Sequence, residues 1–260
     1  MTVYTFDNTL DGLLTAVFDS FALKQQPEMI LTQGEQMPLF ADETYNVVTT
    51  EAKASRVWAG LEKKLSEEAL HIITISWQSE EKALNQPLFN FICKVFRSDN
   101  KDIIHNSSDP DVLAVRNTCR RVLHEVLRMK QFIRFQKAKD GTYLTVVSPD
   151  HNVLPLITDH FQSRFNDQPW LIFDAKRLYG YYYTSEGKEP TRITFADSSS
   201  LPFSLTDGKL NANLLSADDQ LFQDLWRTYF KAICIRERLN PRKQLSDMPR
   251  RYWRYMTEKQ

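Results

Sequence analysis

The stretch at residues 131–147, QFIRFQKAKDGTYLTVV, decides the fold class of this chain. Apolar and polar residues alternate on both sides of Asp140-Gly141, and an Asp-Gly pair between two such runs indicates a β-hairpin. Three later runs are rich in β-branched and aromatic residues and predict strands, at residues 170–173, 180–183 and 192–195. The centre of the chain is therefore predicted to be a β-sheet.

Outside this centre, apolar residues recur every three or four positions, which is typical of amphipathic helices. Helices are predicted after capping residues at positions 7–9, 50, 66 and 109, and two short strands at residues 3–6 and 45–49. Residues 153–165, which follow the hairpin in the sequence, predict a further helix. A long helix stopped by Pro241 and a short one from Arg250 are predicted to close the chain.

Strands that are grouped, and do not alternate with helices, favour an α+β protein over a doubly wound α/β fold. The sequence predicts a helix-rich N-terminal half, a central mostly antiparallel β-sheet with packed helices, and a closing C-terminal helix pair. The turn before Pro110 separates an acidic, mainly helical lobe with two short strands, residues 1–108, from a basic α+β lobe, residues 109–260. One continuous domain is the alternative.

The zero net charge of the 260 residues conceals an asymmetry. Residues 1–112 hold 9 Lys and Arg against 17 Asp and Glu, a net charge of −8. Residues 113–260 hold 24 against 16, a net charge of +8. Such asymmetry favours a polyanionic partner for the basic half. The alternative is that the charges form solvated helix faces and pair between the halves.

Several motifs with known chemistry do not occur in the sequence. The chain has no GxxxxGK[ST], GxGxxG, CxxC, HExxH or GxSxG motif, so an ordinary phosphate-binding loop, a thiolate metal site and a hydrolase elbow are not expected. Three widely spaced Cys predict free thiols in a reducing cytoplasm, and no apolar run approaches the roughly 20 residues of a membrane span. We therefore expect a cytoplasmic protein that does not associate with a membrane and that holds neither a metal ion nor a cofactor of its own.

Four polar residues form the candidate catalytic or phosphate-binding site. His160 and Arg164 are four positions apart on a predicted helix and share a face, and Asp174 and Arg177 follow at the end of a predicted strand. If they converge, His160 and Asp174 are candidates for acid–base chemistry, and the two guanidiniums for phosphate binding. The alternative is a buried ion pair between Asp174 and one of the Arg residues, which would fix the strands.

Basic residues concentrate in two stretches, 116–139 and 227–259. In the second stretch they are interspersed with aromatic residues, a combination that suits phosphates and unpaired bases. The terminal helix is predicted to be anchored by Trp253. The candidate nucleic-acid-binding residues are Arg116, Arg120, Arg134, Arg164, Arg177, Arg238, Arg242, Lys243, Arg250 and Arg254.

Motifs across nearly the whole chain resemble a bacterial family that is assigned to DNA metabolism and has no established molecular function. The resemblance rests on Tyr4-x-Phe6-Asp7, Ser148-Pro149-x-His151-x-Val153-Leu154, Trp170-x-Ile172-x-Asp174-xx-Arg177 and Met248-Pro249-x-Arg251-Tyr252-Trp253. Members of that family are encoded beside a radical-SAM protein, and some are fused to a uracil-DNA glycosylase domain.

The resemblance implies an accessory nucleic-acid-binding protein in DNA repair or modification that partners a radical-SAM enzyme. DNA and that enzyme are the expected partners, and the iron–sulfur cluster and SAM are expected only in the enzyme, because this chain has no cluster motif. An enzyme acting on a nucleotide or nucleic acid through His160, Arg164, Asp174 and Arg177 is the alternative. A protein–protein adaptor without nucleic-acid contact is the third hypothesis.

Overall fold

The computed structural model describes residues 1–98, 103–187, 189–195, 201, 203–232 and 240–259, apart from the side chains of residues 230–232, 254 and 257. The chain divides into two compact units, Met1–Leu123 and His124–Gln260. Cys93 and Cys119 are buried free thiols, whereas Cys234 lies outside the described residues. No described helix is long and apolar enough to cross a membrane.

The described residues of the first unit form a small sheet and four α-helices, with the start of a fifth. Its elements are β1 (Thr2–Phe6), α1 (Leu10–Ala22), β2 (Met29–Thr32), β3 (Glu43–Asn46), α2 (Glu51–Lys64), α3 (Glu67–Trp77), α4 (Asn85–Arg97) and α5 (Pro110–Phe132). The Thr9 hydroxyl accepts from the amide of Gly12, and that of Ser66 from the amide of Ala69, so the predicted caps of α1 and α3 are confirmed. Phe6, Leu13 and Phe89 lie in its core.

The sheet of the first unit differs from the expectation of two strands. β2 is a third strand, and the order β2-β1-β3 is parallel throughout. Four apolar and β-branched residues between Pro27 and Gly34 are too short a run to distinguish a strand from a loop by period. α1 supplies the crossover that a parallel β1–β2 pair requires.

The second unit contains a five-stranded mixed sheet. Its elements are β4 (Gln136–Lys137), β5 (Tyr143–Val147), α6 (Leu154–Arg164), β6 (Trp170–Asp174), β7 (Tyr179–Tyr183), β8 (Thr191–Thr194), α7 (Asp219–Ala232) and α8 (Pro241–Asp247). The strand order is β4-β5-β6-β7-β8, with β5 and β6 parallel and the other neighbours antiparallel. The α+β class and the mostly antiparallel central sheet are thus confirmed. The Asp140-Gly141 hairpin is also present, with Gly141 at φ +88°, but its first strand is only Gln136–Lys137, because residues 131–132 end α5.

The end of the second unit differs in detail from the sequence prediction. Pro241 begins α8, with the Asn240 side chain accepting from the amide of Lys243, whereas the predicted end of the long helix before Pro241 falls on residues 233–239, which lie outside the described residues. Pro is favoured at a first helical position, where no backbone donor is needed. α7 is described as far as Ala232, and Arg250–Tyr255 forms a 3₁₀-helix where an α-helix was predicted.

Candidate functional site

The parallel pair β5–β6 creates a polar edge in the second unit. α6 connects the two strands, so the loop of residues 148–153 and the turn after Asp174 both lie at the carboxyl ends of these strands. In open α/β sheets, ligands bind at this edge, and the parallel β5–β6 pair brings side chains from two loops together in the same way here. The polar groups at this edge are therefore the first candidates for function.

Asp174 is the central buried charge of this edge. The Asp174 carboxylate accepts hydrogen bonds from the amides of Lys176 (2.8 Å) and Arg177 (3.2 Å) and from the Arg177 guanidinium (2.8 Å). Burial raises the pKa of Asp174, and the hydrogen bond and charge of Arg177 oppose that rise. The carboxylate thus shapes the turn between β6 and β7 and holds the guanidinium in place.

Arg177 and Lys176 connect this turn to the loop of residues 148–153. The Arg177 guanidinium donates to the carbonyl oxygens of Pro149 (3.2 Å) and Asp150 (2.9 Å), and Lys176 Nζ donates to the same Asp150 oxygen (2.7 Å). The Arg177 side chain is only 10% exposed. These bonds satisfy loop carbonyls that would otherwise lie unpaired at the sheet edge.

Glu125 of α5 binds the other side of the loop. This carboxylate is 1% exposed and accepts from the amides of Asp150 (3.0 Å) and His151 (2.7 Å) and from the Tyr252 hydroxyl (2.8 Å). Burial alone would raise its pKa, but the two amide bonds and the Tyr252 bond outweigh it, and the pKa of Glu125 is lowered. Glu125 is therefore charged at neutral pH, and its carboxylate oxygens accept their hydrogen bonds from groups of the same chain.

Arg251 and Tyr252 bring the C-terminal segment to the same place. Arg251 Nη2 lies 3.0 Å from Asp150 Oδ2 and 3.5 Å from Glu125 Oε1, and it donates to the Tyr252 hydroxyl (2.8 Å). Burial raises the pKa of Tyr252 to about 12, so its hydroxyl remains a donor. The Arg251 side chain is 41% exposed, which leaves part of the guanidinium accessible from outside.

Tyr179 completes the edge from β7. Its hydroxyl bonds to the Asn152 side chain, and burial raises its pKa. The exposed Arg192 guanidinium lies 4.4 Å from the centre of the Tyr179 ring, a cation–π distance. We call the whole arrangement the carboxyl-edge cluster; its members are Glu125, Asp150, Asp174, Arg177, Tyr179, Arg251 and Tyr252.

The predicted convergence of four residues is confirmed for Asp174 and Arg177 only. Phe161 packs on Trp170 at the start of β6, with ring centres 6.4 Å apart, whereas Asp174 ends that strand about 13 Å further on. Arg164 at the end of α6 lies on the Trp170 side, because a crossover helix runs antiparallel to its strands. The direction of the crossover, which the helical period does not reveal, separates the two guanidiniums.

His160 has surroundings of its own on α6. Its ring meets the Phe161 ring edge-on, with centres 5.1 Å apart. Burial, followed by the charges of Lys130 and Arg164, lowers the pKa of His160. His160 is therefore a neutral, half-buried imidazole near two cations. The side-chain hydrogen bond of the Asp174 carboxylate is made with Arg177 and not with His160.

The candidate nucleic-acid-binding residues divide by exposure. Arg120, Arg164, Arg242, Lys243 and Arg250 are exposed. Arg116 is half-buried and bonds to the Ser107 hydroxyl (3.1 Å). Arg238 and the side chain of Arg254 lie outside the described residues.

Arg134 and Arg177 are structural rather than surface cations. Arg134 donates twice to the buried Glu258 carboxylate (3.1 and 2.7 Å) and to the carbonyl oxygens of Gln131 and Ile133. It also lines a cavity of about 290 Å³ in the second unit, together with Lys209 and other residues. A guanidinium with this many internal partners has little capacity left for phosphate.

The anchor of the C-terminal segment also differs from the prediction. Tyr252 and Met256 are buried, at 4% and 0% exposure, whereas Trp253 is half-buried, with its ring centre 5.8 Å from the Arg250 guanidinium carbon and 4.9 Å from Lys259 Nζ. Trp253 Nε1 donates to the Met248 carbonyl (3.0 Å). A 3₁₀-helix has three residues per turn, and this changes which side chain faces inward relative to the 3.6-residue period.

The motifs resemble a family whose molecular function is not established, and the comparison with family models likewise finds a family of unknown function. A family model described as a domain of unknown function, DUF4130, matches residues 82–258, more than half of the chain. The chain belongs to the DUF4130 family. No curated protein matches it.

Among solved structures, this DUF4130 chain is similar to the pGpG-specific phosphodiesterase PggH from Vibrio cholerae. The two are 14% identical, the alignment covers 89% of this chain and 99% of the other, and the TM-score is 0.29. A likeness at this level shows neither a shared fold nor a shared activity.

Three of the quoted motifs meet at the carboxyl-edge cluster of the DUF4130 chain. The first of these, from Ser148 to Leu154, contains Asp150 and the backbone groups of Pro149 and His151 that Arg177 and Glu125 bind; the second contains Asp174 and Arg177, and the third contains Arg251 and Tyr252. Glu125, which joins the first and third motifs, was missed. Its signal was present, because it is three residues after Val122 on the buried stripe of a helix. Within the described residues, no group of three or more His, Cys, Asp or Glu side chains could hold a metal ion.

Proposed function

We propose that this protein is an accessory nucleic-acid-binding protein of DNA repair or modification that works with a radical-SAM enzyme. The observation that carries the proposal is the unequal pairing of cations in the second unit. Arg134 and Arg177 are paired with the buried Glu258 and Asp174 carboxylates. Arg164, Arg192 and Arg242 are exposed and have no carboxylate partner among the described residues. These three guanidiniums therefore place positive charge on the surface of the unit without a neighbouring carboxylate.

Exposed guanidiniums of this kind suit a phosphate backbone, since each phosphate contact releases condensed counterions. Aromatic rings stand beside two exposed guanidiniums: the Arg250 guanidinium carbon lies 5.8 Å from the centre of the Trp253 ring, and that of Arg192 lies 4.4 Å from the centre of the Tyr179 ring. Cations next to aromatic faces support binding of single strands, whose bases can stack. In this proposal the radical-SAM partner holds the iron–sulfur cluster and SAM, and this chain holds the nucleic acid; that partner is supported by the family resemblance alone.

An enzyme acting on a nucleotide is the second candidate, and one observation favours it. Burial raises the pKa of Asp174, as in carboxyl groups that act as general acids. All of its named hydrogen bonds, however, come from the turn that follows it. This geometry supports a positioning role for Asp174 better than proton transfer to a substrate.

The test is a titration of labelled 20-nucleotide single-stranded and double-stranded DNA with the full chain by fluorescence polarization at several salt concentrations. We expect binding at low salt that weakens steeply as salt rises. The double variant Arg242→Ala with Arg250→Ala should weaken binding and reduce the salt slope by about two. The control, Lys63→Ala with Lys82→Ala, removes two exposed cations of the first unit and should leave the DNA affinity and its salt slope unchanged. Undetectable binding at low salt would refute the proposal.

A further inference from the structure

The first unit contains an open apolar groove between α1, α2 and α4. Its volume is about 520 Å³. Val17 and Val57 form its buried floor, and Phe18, Phe21 and Phe96 form its sides. We call these five residues the aromatic groove.

The aromatic groove contains one large apolar side chain, that of Phe21, which the core does not enclose. Leu13, Leu14 and Val17 already fill the buried stripe of α1. Phe21, one turn beyond Val17, is 40% exposed, and its ring meets the Phe96 ring edge-on at 5.9 Å. A large apolar side chain that stays accessible in a formed groove is typical of a surface that binds another protein.

Cations surround this groove although the segment that contains it is acidic. Residues 1–112 hold nine Lys and Arg, and four of them lie at the groove: Lys53, Arg56, Lys64 and Arg97. The Arg56 and Arg97 guanidinium carbons lie 5.7 and 5.5 Å from the centres of the Phe18 and Phe21 rings. Cation–π contacts of this length fix the guanidiniums at the edge of the apolar surface.

Two of these cations have no counter-charge in the part of the first unit that the structure describes. Lys53 is paired with the buried Asp19 carboxylate at 2.7 Å. Arg56 and Arg97 have no carboxylate partner among the described residues; Arg97 donates to the Gln26 side-chain oxygen. The groove thus offers apolar walls and two guanidiniums that can still pair with a carboxylate.

The geometry points to an acidic amphipathic segment of a partner protein as the occupant of the aromatic groove. Apolar side chains at helical spacing would fill the space between the three Phe rings, and Asp or Glu residues beside them would meet Arg56 and Arg97. This inference does not depend on nucleic-acid binding by the second unit.

Charge and chemistry favour a peptide over a nucleic acid. A strand of DNA would bring many phosphates to a segment whose net charge is −8, whereas a short peptide brings only the carboxylates that two guanidiniums can pair with. Apart from Arg56, the lining of the groove is aliphatic or aromatic, so it provides few groups that could read the edges of a base.

The test selects peptides from a random 16-residue phage library on the full chain and, in parallel, on the variant Phe21→Glu. We expect peptides that are recovered at least tenfold better on the wild-type chain, carry a net negative charge and have apolar residues three or four positions apart. The best peptide, labelled with fluorescein, should bind at least tenfold more weakly to Arg56→Glu. Phe40→Glu is the matched control, because Phe40 is 84% exposed and lies outside the groove, and it should bind that peptide like the wild type.

Three outcomes would overturn the inference: equal recovery on the wild type and Phe21→Glu, enrichment of basic peptides, or tight binding of a 15-nucleotide single strand that Phe21→Glu abolishes. Thermal unfolding of each variant checks that it is folded. Arg56 is an exposed side chain, so Arg56→Glu provides a second measurement if Phe21→Glu unfolds.

Discussion

The carboxyl-edge cluster of the second unit and the aromatic groove of the first unit both contain Arg side chains, which they use in opposite ways. In the cluster, Arg177 is 10% exposed and its donors reach the Asp174 carboxylate and two loop carbonyls. In the groove, Arg56 is exposed and rests on the Phe18 ring without a carboxylate partner among the described residues. The comparison teaches that buried guanidiniums maintain a loop, and that exposed guanidiniums beside apolar surface are available for binding.

The largest expected effect is that of removing the buried carboxylate of Glu125. Glu125→Ala should lower the free energy of unfolding by about 4 kcal/mol, because two amides and the Tyr252 hydroxyl lose their acceptor and Arg251 loses a nearby charge. Urea unfolding followed by circular dichroism measures it. Gln131→Ala, at an exposed position of the same helix, is the control and should change stability by less than about 0.5 kcal/mol.

Asp174→Asn should have the next largest effect, a loss of about 3 kcal/mol, because the nearly buried Arg177 guanidinium would lose its counter-charge. The same urea experiment measures it, with Asp218→Asn at an exposed position as the control. A loss below about 0.5 kcal/mol would show that the cluster does not depend on this ion pair.

The pH dependence of stability separates Glu125 from an ordinary surface carboxylate. Its folded-state pKa is lowered from 4.5, so the stability that its charge contributes is present above that value and is lost as pH falls through the folded pKa. The difference in unfolding free energy between the wild type and Glu125→Gln should therefore shrink steadily from pH 5 downward. A difference that stays constant to pH 3 would contradict the assignment.

Tyr252→Phe should cost about 1 to 2 kcal/mol, since it removes one of the hydrogen bonds to Glu125 but keeps the buried ring. Trp253→Phe, at the half-buried neighbouring position, is the matched comparison. If Trp253→Phe destabilises the protein more than Tyr252→Phe, then Trp253 is the anchor of the C-terminal segment after all.

The smallest effect on stability is expected for Arg56→Ala, which should change the free energy of unfolding by less than about 0.5 kcal/mol. The guanidinium is exposed and has no carboxylate partner among the described residues. Thermal unfolding measures the change. A loss comparable to that of Asp174→Asn would mean that the edge of the groove, like the cluster, is needed for folding.

Much of this fold can be predicted from local sequence patterns, whereas the relative positions of the candidate functional side chains are harder to predict from them. The hairpin at Gly141 and the caps of α1 and α3 were predicted, because turn and cap chemistry act within a few residues. The ion pair between Asp174 and Arg177 could be anticipated for the same reason, because the two residues are only three positions apart. The separation of Arg164 from Asp174 depends on the direction of a crossover, and the aromatic groove depends on three helices packing together, so neither could be obtained from period or spacing.

The parallel pair β5–β6 also has a consequence for how the sheet of the second unit folds. β4–β5, β6–β7 and β7–β8 each join strands that are close in sequence, whereas the 22 residues from Ser148 to Pro169 must fold back before β5 can meet β6. Closing that long connection costs chain entropy before its contacts are gained. We therefore expect two locally formed halves of the sheet to join last at β5–β6, so that the loop of residues 148–153 reaches its final conformation only in the late stage of folding.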